Sequence, residues 1–165
     1  MKRNIALVIA AAALVAAVLI PAGFAGSAKS SKASVGVAQS KLGRILVDSR
    51  GRSLYLFEKD RNGKSSCNGA CVSYWPPLIA SGKLHAGAGV KASLLGRTKR
   101  TGGRWQVTYK RHPLYRFFGD TKKGQTNGEG LTDFGGSWDL VSPAGAKVEK
   151  SGDGSTSGGY GGYGP

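Results

Sequence analysis

The residues best able to do chemistry in this 165-residue chain are Cys67 and Cys71, its only cysteines, in Ser-Ser-Cys-Asn-Gly-Ala-Cys. An even cysteine count outside the cytosol points to a disulfide. Residues four apart on one helical turn have Cα atoms about 6 Å apart, within bridging range. The loop is short, so a bridge is expected to add about 2 kcal/mol. A redox-active pair or a soft-metal site is the competing reading. With His85 and His112, the only histidines, the cysteines make a set competent for zinc or copper. Within that alternative, Cys67, Cys71 and His112 are the ligands and copper is the metal. The spacing is irregular, the motif has three intervening residues rather than two, and oxidised sulfur does not ligate. A structural bridge, with no cofactor and no metal, is the expectation. No Ser-His-Asp order, paired-carboxylate motif, phosphate loop or nucleotide fingerprint is present, so no enzyme activity is expected.

What must position these residues is a duplicated β domain. Val47–Asp60 (VDSRGRSLYLFEKD) and Val107–Asp120 (VTYKRHPLYRFFGD) match at an offset of 60, each with Leu-Tyr-x-Phe-x-x-Asp. Trp75 in SYWPPL and Trp138 in SWDLV match at a slightly longer offset. Each copy reads as a hairpin: Ile45–Val47 and Leu54–Phe57 around Asp48–Gly51, then Trp105–Tyr109 and Leu114–Phe118 around Lys110–Pro113. Alternation puts Tyr55 with Phe57, and Tyr115 with Phe117, on a face assigned to the core. Arg116 marks a face nearer solvent. Trp138–Ser142 is a further strand, and Val90–Leu95 reads as one or two helical turns stopped by Gly96. Core duty is the default for Trp75, Tyr74, Trp105 and Trp138. The fold class is therefore mainly β: a small pseudo-symmetric sandwich or barrel of two hairpin repeats, with short helical turns. The repeats run over about 42–80 and 104–143, within a domain at 41–149.

Asp60 and Asp120 end their strands before Gly-rich loops, where a carboxylate commonly accepts backbone N–H bonds. The signature residues Tyr55, Phe57, Asp60, Tyr115, Phe117 and Asp120 are therefore expected to be structural. Calcium at Asp60 is discounted, because Arg61 and Lys64 would repel it.

Residues 1–28 read as a secretion signal. Lys2 and Arg3 precede the aliphatic run Ile5–Ile20, which Pro21 and Gly23 break before the small residues Gly26-Ser27-Ala28. An uncleaved anchor is the alternative, and it is the only membrane contact expected. Residues 29–40 read as a linker, and 150–165 as a disordered Gly/Ser/Tyr tail. The formal charge is +15; removal of Lys2 and Arg3 with the signal leaves +13. Outside the cell such charge meets anionic lipids, wall polymers and polysaccharides rather than specific nucleic acid. Basic and aromatic residues interleave at Lys99, Arg100, Arg104, Lys110 and Arg111, the candidate binding surface. The partners expected are anionic envelope polymers or an envelope protein.

The chain resembles the bacterial "secreted repeat of unknown function" family, which includes lipoproteins and is marked by Tyr-x-[Phe/Trp/Tyr]-x-x-Asp. The segments LGRILVDSRGRSLYLFEKD, SCNGACVSYWPPL, GVKASLLG and QVTY…HPLYRF carry the resemblance over roughly residues 41–148. It implies an extracytoplasmic, envelope-associated location and no assigned activity. The chain departs from the lipoprotein members in having no cysteine near residues 20–28, and it has Arg111 where such hairpins place glycine. A left-handed arginine costs about 1 kcal/mol, so the second turn is expected to differ from the first.

Overall fold

Strand formation follows the β-branched and aromatic runs, and Gly-containing turns separate the strands. The computed structural model describes residues 35–80 and 82–148. Within them eight strands form three small antiparallel sheets. β1 (Val35–Ser40) pairs with β2 (Gly43–Asp48). β3 (Tyr55–Phe57), β8 (Gly136–Leu140) and β7 (Leu131–Asp133) form the second sheet, in that order. β4 (Leu95–Lys99), β5 (Trp105–Tyr109) and β6 (His112–Pro113) form the third. A four-residue helix α1 (Cys71–Tyr74) and a 3₁₀ turn at Ala92–Leu94 complete the elements. The architecture is mainly β and sandwich-like rather than a closed barrel.

The two hairpin repeats are present, and each begins one strand earlier than 42 and 104. Residues 35–40 are β1, not linker, because the Cα register Val35↔Asp48 to Ser40↔Gly43 gives them a full partner. β4 does the same for the second repeat. The helical reading of Val90–Leu95 shrinks to Ala92–Leu94. Leu95 and Gly96 enter β4, where a methyl group on Gly96 would lie 2.9 Å from Thr108 Oγ1. The signal at 1–28 and the tail at 150–165 lie outside the described residues.

Backbone hydrogen bonds reveal a finer correspondence than the offset of 60. Leu54 N donates to Leu46 O, Leu46 N to Val141 O, and Val141 N to Leu54 O. In the second repeat Leu114 N donates to Val107 O, Val107 N to Leu78 O, and Leu78 N to Leu114 O. These cyclic triads make Leu46, not Val47, the counterpart of Val107. The first turn is one residue longer. It covers Ser49 to Gly51, between Asp48 and Arg52, and the Gly51 φ of 79° needs glycine. The second turn is two residues, Lys110 and Arg111, with φ of 46° and 69°. Arg111 does take the left-handed conformation expected to be costly.

Two cores sit on either side of the signature strands. Leu54, Leu56 and Leu114 join Leu46, Leu78, Val107 and Val141 on one side. Tyr55, Phe57, Tyr115 and both tryptophans Trp75 and Trp138 lie on the other. The assigned Tyr/Phe core face is thus observed, with Phe117 only half-buried. Tyr74 and Trp105 depart from core duty; they are 47% and 45% exposed.

Candidate functional site

At the centre of the fold the two signature segments face each other. Tyr55 N donates to Tyr115 O at 2.9 Å and Tyr115 N to Tyr55 O at 3.0 Å, a local two-fold pair. Each phenol then reaches the aspartate of the other repeat. Tyr55 Oη donates to Asp120 Oδ2 at 2.6 Å, and Tyr115 Oη to Asp60 Oδ2 at 2.7 Å. The second carboxylate oxygen holds the following loop: Asp120 Oδ1 accepts from Asn127 N, and Asp60 Oδ1 from Ser66 N. Burial raises both aspartates above the usual carboxylate range, against these hydrogen bonds, which lower them. Tyr55 and Tyr115 are raised well past the ordinary phenol value by burial, and the facing carboxylates add to the shift.

The same two-fold relation orders the rings. Phe57 stacks on Trp138 (centroids 4.0 Å apart, 7° between planes), and Trp138 on Trp75 (3.9 Å, 3°). Phe117 closes the far end against Trp75 at 4.6 Å. Tyr55 meets Trp75, and Tyr115 meets Trp138, edge to face. Trp138 Nε1 donates to Asp133 O. Trp75 Nε1 is buried without an acceptor among the described residues, so ring contact alone holds that side.

Cys67 and Cys71 are bridged, with Cα atoms 5.4 Å apart, and both pack into this ring core. Beside the bridge lies a groove of about 770 Å³. Its floor is Val72, Pro76, Pro77 and Ile79, and its walls carry Arg100, Arg104 and Arg116. Arg100 is fixed through neutral acceptors. Nη1 donates to Ser65 Oγ (2.7 Å) and Gln106 Oε1 (2.6 Å), and Nη2 to Cys67 O (2.6 Å) and Asn68 Oδ1 (3.3 Å). Gln106 is fully buried and its own amide donates to Leu114 O. Arg116 is held through Nε alone on Asp48 Oδ2 at 2.6 Å, which leaves its Nη atoms outside that bond. Asp48 also accepts from Arg52 Nη2 and from the N–H groups of Arg50 and Arg52. Burial raises this aspartate, but those donors outweigh it and hold the carboxyl below its usual range.

The profile of the family described as "secreted repeat of unknown function" matches this chain twice, at residues 36–79 and 96–142, more than half of its length. The chain belongs to that family. The two matches begin at β1 and β4, where the structural repeats begin. A family of secreted proteins places this repeat domain outside the cytosol. No curated protein and no solved structure has significant similarity to the chain.

The structure separates the surface expected of this secreted repeat. Lys99, Arg100 and Arg104 lie at one end of the β4–β5 hairpin, whereas Lys110 and Arg111 form its partner turn at the other end of β5. The five residues of β5 divide Arg104 from Lys110, about 20 Å along the strand. Arg100 is tied into the cysteine loop, and Arg104 is exposed. His112 lines a separate hollow with Asp60 and Arg111. The alternative metal set Cys67, Cys71 and His112 has no support: both sulfurs are in the bridge, and no group of three or more His, Cys, Asp or Glu ligands gathers among the described residues. Sequence reasoning missed Asp48 as an ion-pair hub, and Arg116 and the Pro-Pro floor as parts of a groove. The only signal was a turn aspartate between two hydrophobic runs.

The bridge gives a first prediction. The exported chain is expected to show no titratable thiol until reduced, and reduction to lower its unfolding free energy by about 2 kcal/mol. Thiol counting beside urea denaturation measures both; full reactivity in the folded, unreduced protein would contradict the assignment.

Proposed function

We propose that this secreted domain is a non-catalytic binding module that holds an anionic polymer of the cell envelope in the groove beside the disulfide. One observation carries the reading. Three arginines from two segments, Arg100 and Arg104 in the β4–β5 turn and Arg116 after β6, converge on one apolar-floored groove whose lining contains no carboxylate. Arginine offers planar, paired donors suited to carboxylate and phosphate groups. Arg100 is held by neutral acceptors and its charge also acts on the partly buried Asp60, whereas Arg104 stands exposed on the groove wall and offers its charge to an anion. The formal charge, +15 for the full chain and 15 − 2 = +13 without Lys2 and Arg3, favours encounter with such polymers and makes it salt-dependent.

Inorganic polyphosphate and polygalacturonate serve as probes. Both are expected to bind the full chain at low salt and to weaken as salt rises. Arg104→Glu is expected to reduce binding about tenfold, while Lys41→Glu, an exposed charge reversal in the β1–β2 turn at the other end of β2 from Asp48, is expected to change it little. Titration by fluorescence or calorimetry reads the difference. Equal losses in the two variants, or no binding of either probe, would overturn the groove as the site.

A further inference from the structure

We infer that the polymer held in the groove is an acidic polysaccharide, whose sugar rings stack on an aromatic ledge formed by Tyr74, Phe118 and Phe134. This rests on the groove reading above and adds the ligand class. Phe118 is 56% exposed, Tyr74 47% and Phe134 41%, in a domain that buries most of its other rings. The three are in contact: Tyr74 meets Phe118 at 5.1 Å and Phe134 at 5.9 Å. A cluster of exposed rings on a small secreted domain marks an interaction surface.

Two further observations tie the ledge to a ligand. Phe134 sits in the two-residue turn between β7 and β8 with φ of 55°, followed by Gly135 at 82°. Such a turn prefers asparagine at Phe134's position, and a phenylalanine in the left-handed region is strained. The ring is kept at the surface in spite of that strain. The ledge is also continuous with the groove. Residues 114–118 run antiparallel to 74–78, with Arg116 N donating to Pro76 O and Phe118 N to Tyr74 O. Alternation along this extended segment puts Arg116 and Phe118 on one face, about 7 Å apart. One sugar ring can then lie on Phe118 while the acid group of its neighbour meets Arg116.

The chemistry selects the occupant. A pyranose has an apolar C–H face for an aromatic ring and a polar rim, and an acidic polysaccharide adds regularly spaced anions. Polyphosphate has the charge without the ring. A bilayer surface suits the ledge less well, because Arg100 and Arg116 are partly buried and tied to other residues and Asp133 is exposed beside Phe134.

The experiment compares polygalacturonate, polyphosphate and phosphatidylglycerol vesicles on the full chain, in wild type and in Phe118→Ala and Phe134→Gly. The glycine variant suits the left-handed backbone, so it removes the ring without disturbing the turn. Polygalacturonate binding is expected to fall about fivefold to tenfold in each variant, with polyphosphate binding unchanged. If both probes bind and neither depends on the rings, the polysaccharide assignment fails and the groove stands. If wild type binds neither, the groove reading fails first. Ring-dependent vesicle binding without polygalacturonate binding would assign the ledge to a lipid surface and overturn the proposal.

Discussion

Trp138→Ala is expected to lower the unfolding free energy by about 3–5 kcal/mol, a large share of what a domain of this size possesses. Trp138 is fully buried and sandwiched between Phe57 and Trp75, with Tyr115 against its edge and its indole N–H on Asp133 O. Removal opens a void in the middle of a four-ring stack. Collapse is hindered because the neighbours are already seated on close-packed backbone: a methyl on Gly136 would lie 2.7 Å from Phe57 Cε2, and one on Gly128 2.8 Å from Trp75 Cη2. The surrounding rings therefore have little room to refill the space. Trp138→Phe keeps a ring in the stack and is expected to cost less. Urea denaturation followed by circular dichroism gives both values; a loss under about 1 kcal/mol for the alanine variant would mean the stack is not the keystone of the core.

The second large effect lies in the reciprocal Tyr–Asp pairs. Asp120→Ala leaves the buried Tyr55 Oη and the partly buried Asn127 N without their acceptor, at an expected cost of about 2–4 kcal/mol. Asp60→Ala is expected to cost less, because Tyr115 Oη also reaches Ser65 Oγ at 2.8 Å and the Ser66 N–H is exposed to water. Asparagine in place of either aspartate isolates the charge. The native carboxyls of Asp60 and Asp120 are raised by burial, so their contribution is full below the unfolded value near about pH 4. It is lost as pH rises through the raised native value. The advantage of wild type over Asp120→Asn is therefore expected to be greatest in acid and to shrink towards neutrality. Asp48→Asn runs the opposite way. Its native carboxyl is lowered, so the wild-type advantage exists above about pH 4 and disappears as pH falls through the native value. Stability measured for the three proteins from pH 3 to 7 shows the two slopes; parallel curves would refute the assignment.

Much of the architecture was legible because it is written in local pattern. Leu54–Phe57 is a continuous run of strand formers, Trp105–Tyr109 alternates, Asp48–Gly51 is a turn in its own residues, and two cysteines in a secreted chain leave one pairing. β1 was not legible. Val35–Ser40 carries two valines among small and polar residues, and it becomes a strand because β2 lies alongside it. The same is true of β7, fully exposed and built of Leu, Thr and Asp, which exists as a partner for β8. The groove was only half-visible, because Arg100 and Arg104 share one turn but Arg116 joins them only through tertiary packing. Lys110 and Arg111, near in sequence, end up apart. The role of the signature was legible but its partners were not. Two identical motifs offer Tyr55 a choice between Asp60 and Asp120, and nothing in the residue types decides it.

That choice carries a consequence for ancestry. Tyr55 answers to Asp120 and Tyr115 to Asp60 across a local dyad, which is how identical subunits clasp one another in an isologous homodimer. A lone repeat would display an unanswered phenol and an unanswered carboxylate on a surface complementary to itself. The duplicated polypeptide is in this sense two protomers fused into one, and neither half is free to drift without the consent of the other.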